Sequence, residues 1–136
     1  MTSKITLTAA GFGLVLSVLG GALAAKPALK DVEYVREGII TAGMAIEIGD
    51  ICPNVSVRLI RGYSFLNSLK SHARSLGYSN DEIDAYTGDK AEEARLKVVA
   101  RARLAGMGAV SGQPETYCAV GRTEIAAGSQ LGRLLR

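Results

Sequence analysis

The chain has 136 residues, with 16 Lys and Arg against 13 Asp and Glu for a formal net charge of +3, and 48% of its residues are hydrophobic. That length suits a single domain. So small a basic excess, interspersed with acids, does not predict the concentrated positive surface that nucleic-acid binding needs, and no nucleic-acid partner is expected.

The first residues set an expectation about compartment. Met1 to Lys4 is a weakly positive start, Ile5 to Leu19 is an apolar run broken by Thr, Ser and Gly, and Gly20-Gly21-Ala22-Leu23-Ala24 brings small residues. This is the order of a secretory signal peptide, with Ala22 and Ala24 at the −3 and −1 positions of the cleavage site. The sequence therefore predicts a signal peptide over residues 1–24, export to a bacterial periplasm, and a single helical domain over residues 25–136. An uncleaved anchor is the alternative, because residues 5–25 could just span a bilayer.

Beyond an extended lead at Lys26-Pro27, Val32, Val35, Ile39, Ala42 and Ile46 recur at steps of three and four, which predicts a first long helix with that face inward. Gly38, Gly43 and Gly49 are unfavourable in a helix and are read as places where a neighbour approaches closely. The helix must stop by Pro53. A second helix is predicted from about Val57 to Leu76, capped by Asn54 or Ser56, with Leu59, Tyr63, Leu66, Leu69 or Lys70, Ala73 and Leu76 as its apolar side. Gly77 suits a left-handed C-terminal cap. Ser79 and Glu82 form a capping box that opens a short helix carrying Ile83 and Tyr86.

Asp89 caps a third long helix, Lys90 to Met107, in which Ala94, Val98, Ala102 and Ala105 line one edge and Leu96, Val99 and Leu104 widen it. After a Gly-rich loop, Pro114 takes the first position of a last helix that is expected to continue to about Leu135. No segment alternates with a strand's period long enough to argue a sheet.

Two cysteines in an exported chain are most simply a disulfide, and Cys52–Cys118 would tie the start of the second helix to the start of the last. With a single histidine and no C-x-x-C or H-x-x-x-H spacing, a metal site is not predicted. His72 has no partner histidine or nucleophile. Asp81, Glu82, Asp84 and Asp89 lack the order of a calcium loop and read as helix caps. Gly106-Met107-Gly108 is not a phosphate loop, and Ser64, Ser111 and Ser129 stand outside any G-x-S-x-G. A non-catalytic protein without cofactor is therefore expected.

At the C-terminal end Leu131, Arg133, Leu134, Leu135 and Arg136 interleave apolar and basic residues. They either dock on the protein's own bundle or contact a partner helix or an anionic lipid surface.

Cys52-Pro53 with Arg58, the turn Gly77-Tyr78-Ser79 with Glu82-Ile83, and Tyr117-Cys118 leading into Gly121-Arg122, residues 124–129 and Leu134-Leu135-Arg136 together resemble a small alphaproteobacterial family of exported proteins of unknown function. The resemblance covers most of the chain beyond residue 24. It brings no site residues, and implies an accessory role near a membrane respiratory complex, complex I.

The fold expected is an all-α bundle of four longer helices and one short helix, stapled by one disulfide. The function expected is that of a periplasmic binding or accessory protein associated with a membrane complex. A small-ligand carrier with a pocket between helices, near Tyr63, Tyr86 or His72, is the alternative.

Overall fold

The structure, a computed structural model, describes residues 25–136; the expected signal peptide, residues 1–24, lies outside them. Five helices of more than one turn are present: α1 (Glu33–Ile51), α2 (Leu59–Ser75), α3 (Asn80–Thr87), α4 (Lys90–Gly106) and α5 (Pro114–Ala127). A single-turn α6 (Gln130–Arg133) follows, and a 3-10 turn (Leu29–Asp31) precedes α1. Apart from isolated bridges, the described residues hold no strand. None of their helices is long and apolar enough to cross a membrane.

The helix boundaries follow local chemistry. Pro53 ends α1 at Ile51, and Gly77 adopts φ 89° just after α2. Ser79 and Glu82 form the predicted capping box of α3. The Asp89 carboxylate accepts from the N–H groups of Ala91 and Glu92, and Pro114 opens α5.

α1 is the central helix, and α2, α4 and the α5–α6 pair all pack on it. Its buried face is Val35, Gly38, Ile40, Met44, Ala45 and Ile48, whereas Ile46, expected inside, is 51% exposed. A helix touched from several directions is not described by one stripe, and the expected stripe captured only part of it. α4 differs in the same way: Leu96, Ala100 and Leu104 are buried and Val98 is 67% exposed. The four-residue step of Leu96, Ala100 and Leu104 is what meets α1, and the parallel alanine step faces out.

Two of the three glycines of α1 act as expected, while a Cβ at Gly43 would meet Ala100 Cβ only at an ordinary 3.6 Å. A Cβ at Gly38 would lie 2.5 Å from Leu69 Cδ2, and one at Gly49 would lie 2.9 Å from Val57 Cγ2. Their absence lets α2 and the segment before it close onto α1.

The disulfide forms, with Cα atoms 5.1 Å apart and both cysteines buried. It joins the C-terminal end of α1, rather than the start of α2, to the first turns of α5. Residues 52–58 are not yet helix: Val57 pairs antiparallel with Leu135, and α2 begins at Leu59 after Arg58, which supplies no side-chain cap.

The last helix also departs from expectation, breaking at Gly128, which adopts φ 61°. The Ser129 hydroxyl then accepts from Gly132 N–H to start α6. A Cβ at Gly132 would fall 1.9 Å from Glu124 O, so only glycine lets this turn fold back onto α5.

Candidate functional site

At the C-terminal end the expected contact residues divide. Leu131, Leu134 and Leu135 are at most 4% exposed and belong to the main core with Ile48, Leu104 and Val120. Three backbone hydrogen bonds hold this end to the linker before α2. Ser56 N–H donates to Arg136 O (2.9 Å), Arg136 N–H to Ser56 O (2.9 Å), and Arg58 N–H to Leu134 O (2.8 Å). The leucines have thus taken the first of their two expected roles, docking on the bundle. The arginines stay outside. Arg133 donates to Gly128 O and Gln130 Oε1, and Arg136 Nε donates to Ser56 Oγ.

The apolar surface left open lies beside this clamp, on α2. Leu59 is 80% exposed, Ile60 84% and Tyr63 71%, and Leu66 continues the row at 40%. Leu59, Tyr63 and Leu66 step by four and three residues and so share one face of the helix. α2 buries only Leu69 and Ala73, in its second half. In its first half Phe65 packs, partly buried, against the main core.

The charge around this face is one-sided. No Asp or Glu occurs from Ile51 to Asn80, a span that carries Arg58, Arg61, Lys70 and Arg74. Arg58 and Arg61 stand at the start of α2, where the helix dipole disfavours positive charge. An open groove of ≈ 540 Å³ is lined by Arg58, Leu59, Ile60, Arg61 and Arg136 alone. Among the described residues none of these three arginines is in an ion pair.

A second feature is a cleft over α1, walled by α2 on one side and by α3 and the start of α4 on the other. Two adjoining hollows of ≈ 260 Å³ each share Ile39, Leu66, Tyr86 and Thr87 as walls. The Tyr86 hydroxyl is buried with no hydrogen-bond partner among the described residues, and burial, helped by the nearby Glu92 charge, pushes its pKa up. Tyr63 and His72, also considered for a pocket, do not line these hollows. His72 instead meets the ring of Tyr34, centroids 4.4 Å apart.

The remaining polar candidates serve the fold. Glu82 accepts from Ser79 N–H and from Lys26 Nζ, and those two bonds lower its pKa. Glu92 is held low first by its hydrogen bonds to Arg95. Among the described residues no group of three or more His, Cys, Asp or Glu side chains could hold a metal ion. Ser129 is a cap, while Ser64 and Ser111 are exposed.

Sequence reasoning missed the exposed α2 face because Leu59, Tyr63 and Leu66 fall on the same helical stripe as the buried Leu69 and Ala73. A signal was present nonetheless: arginines at a helix start within a long acid-free span.

Fold and surface together define a small, disulfide-stapled, all-α domain with an exposed apolar and basic helix face. The chain belongs to a protein family described as "Family of unknown function (DUF5333)", which matches residues 27–136. No curated protein and no solved structure matches it.

Proposed function

We propose that this protein is a non-catalytic binding or accessory protein of the bacterial periplasm that works at a membrane, beside a respiratory complex, through the exposed first half of α2. The supporting observation is the trio Leu59, Ile60 and Tyr63, each more than 70% exposed, bordered by Arg58, Arg61 and Arg136. Contiguous exposed apolar side chains rimmed by charge are a feature of contact surfaces. The buried disulfide is in keeping with an oxidising compartment.

The test is fractionation and cross-linking in cells that produce the protein, with intact mass reporting its N-terminus. The parent should sediment with membranes and Leu59→Ser/Ile60→Ser/Tyr63→Ser should move to the soluble fraction. Equal distribution of the two would remove α2 as the working surface.

A second reading, a small-ligand carrier, is favoured by the cleft over α1 with its unpartnered Tyr86 hydroxyl. It predicts a small molecule that co-purifies with the protein in native mass spectra and is displaced by Leu66→Trp.

A further inference from the structure

We infer that the surface this end of the molecule meets is an anionic lipid bilayer. Leu59, Ile60 and Tyr63 enter the boundary between headgroups and acyl chains, and Arg58, Arg61 and Arg136 lie against lipid phosphates. The inference rests on α2 being the working surface and names what it touches.

The first argument is shape. The three apolar side chains project outward at 71–84% exposure from the first turns of α2, just after the clamp to the C-terminal end. A protein partner has to supply a matching pocket for each, whereas a bilayer yields around any side chain that enters it. Short amphipathic stretches bind membranes in this way, with an apolar face in the boundary and Lys or Arg flanking it. Tyr63 adds a ring with one polar tip, the kind of side chain that settles at headgroup level.

Charge distribution is the second argument. With a formal net charge of only +3 the whole molecule has little attraction for an anionic surface. The acids are placed so that one face does. They stand on the 3-10 turn, α1, α3, α4, α5 and the Asp89 cap, while residues 51–80 carry none. An anionic plane therefore attracts the start of α2, whereas Asp89, Glu92 and Glu93 line the cleft beside Leu66, about two turns further along the helix. Each basic residue near such a surface strengthens binding roughly fivefold, so three arginines supply an attraction that a few exposed apolar side chains alone would not.

The third argument is that this end contradicts local helix chemistry. Arg58 occupies the N-cap without supplying a cap hydrogen bond, and no acid occupies the first turn of α2. The other two long helices after α1 start with an acid in the first turn. The Arg58 guanidinium serves the fold in part, donating from Nε to Leu135 O (2.9 Å), whereas Arg61 is in no ion pair among the described residues; local rules broken in this way concentrate where function imposes its own requirement. Positive charge here gains nothing from the helix but is suited to phosphates.

The test uses the protein in the form cells accumulate, with vesicles of phosphatidylcholine alone and of phosphatidylcholine mixed with phosphatidylglycerol. Because the chain contains no tryptophan, Tyr63→Trp provides a single fluorescent reporter at the contact. The expected results are a blue shift of that reporter and co-flotation with the mixed vesicles only. Arg61→Gln and Arg136→Gln should each weaken flotation about fivefold. Salt near 1 M, where the Debye length is about 3 Å, should abolish most of it. Leu59→Ser/Ile60→Ser should lose flotation while keeping the parent's circular dichroism.

Equal flotation with both vesicle types, or flotation indifferent to Leu59→Ser/Ile60→Ser, overturns the inference. A protein that sediments with native membranes through α2 but ignores both vesicles overturns it too; the accessory role would then stand on a protein partner. If α2 variants change neither native-membrane nor vesicle binding, both readings fall.

Discussion

α4 and α2 both lie along α1, and they do so in opposite ways. α4 places Leu96, Ala100 and Leu104 into the core and ties its outer edge to α1 through Arg103–Glu37 and Arg101–Glu47. α2 buries Leu69 and Ala73, and among the described residues it makes no ion pair with α1. The difference is one of division of labour. α1, α4, α5 and the clamped C-terminal end form the scaffold, and α2 is held by the clamp at its start and by Leu69 and Ala73 in its second half, while Leu59, Ile60 and Tyr63 face outward.

The largest effect should come from opening the scaffold. Cys52→Ser or Cys118→Ser removes a cross-link spanning a sequence separation of 66 residues, worth roughly 4 kcal/mol by the chain-entropy model. The two variants should lose similar amounts in denaturant titrations. Amide exchange should rise in residues 52–58 and 130–136 before it rises in α3. Unchanged midpoints would mean that the core alone closes this end.

Next are the two interfaces themselves. Leu104→Ala, at a fully buried site, should cost about 3 kcal/mol, and Leu69→Ala about 2 kcal/mol because the thinly covered α2 can settle into the gap. Exchange should localise the second loss to α2 and spread the first over the whole bundle. Equal, global losses would erase the distinction between scaffold and outer helix.

A smaller effect separates the helices by pH. The Arg103 hydrogen bonds hold the Glu37 carboxyl below its ordinary pKa, with Arg103 and Arg36 charges adding to this. A carboxyl whose pKa is lower in the folded state stabilises fully above its unfolded value and loses that contribution as pH falls through its folded value. Stability should therefore fall on acidification below the usual carboxylate range, and Glu37→Gln should flatten part of that fall. Both partners are about a third or more exposed, so at neutral pH the substitution should cost less than about 1 kcal/mol. A melting curve for Glu37→Gln with the parent's full acid dependence would assign that dependence elsewhere.

The smallest effect on stability, within about 0.5 kcal/mol, is expected for Leu59→Ser/Ile60→Ser/Tyr63→Ser, whose side chains are mostly in solvent already. A large drop in melting temperature would show that these residues serve the fold and would weaken the case for a contact surface.

Much of the element grammar was legible in the chain: the stop before Pro53, the turn at Gly77, the capping box at Ser79, the Asp89 cap and Pro114 at a helix start are local, and each came out as read. The break at Gly128-Ser129 used the same grammar of a left-handed glycine followed by a hydroxyl cap. It passed unnoticed because Ala126-Ala127-Gly128 also suits a packed helix. The phase of the buried faces was less legible. α1 is covered from several sides and α4 offers two apolar steps, so periodicity alone could not choose the face that meets the core.

By itself, then, the sequence determined the helical class, the number of longer helices and the pairing of its two cysteines, because each depends on residues near in the chain or on the only partner available. The tertiary structure decided which stripe of each helix faces inward and that Leu131, Leu134 and Leu135 lie inside. It also decided that the open apolar surface sits on the first half of α2. Burial depends on which helix arrives at a face, and Leu59 and Leu69 can share one stripe while only Leu69 finds α1 beneath it.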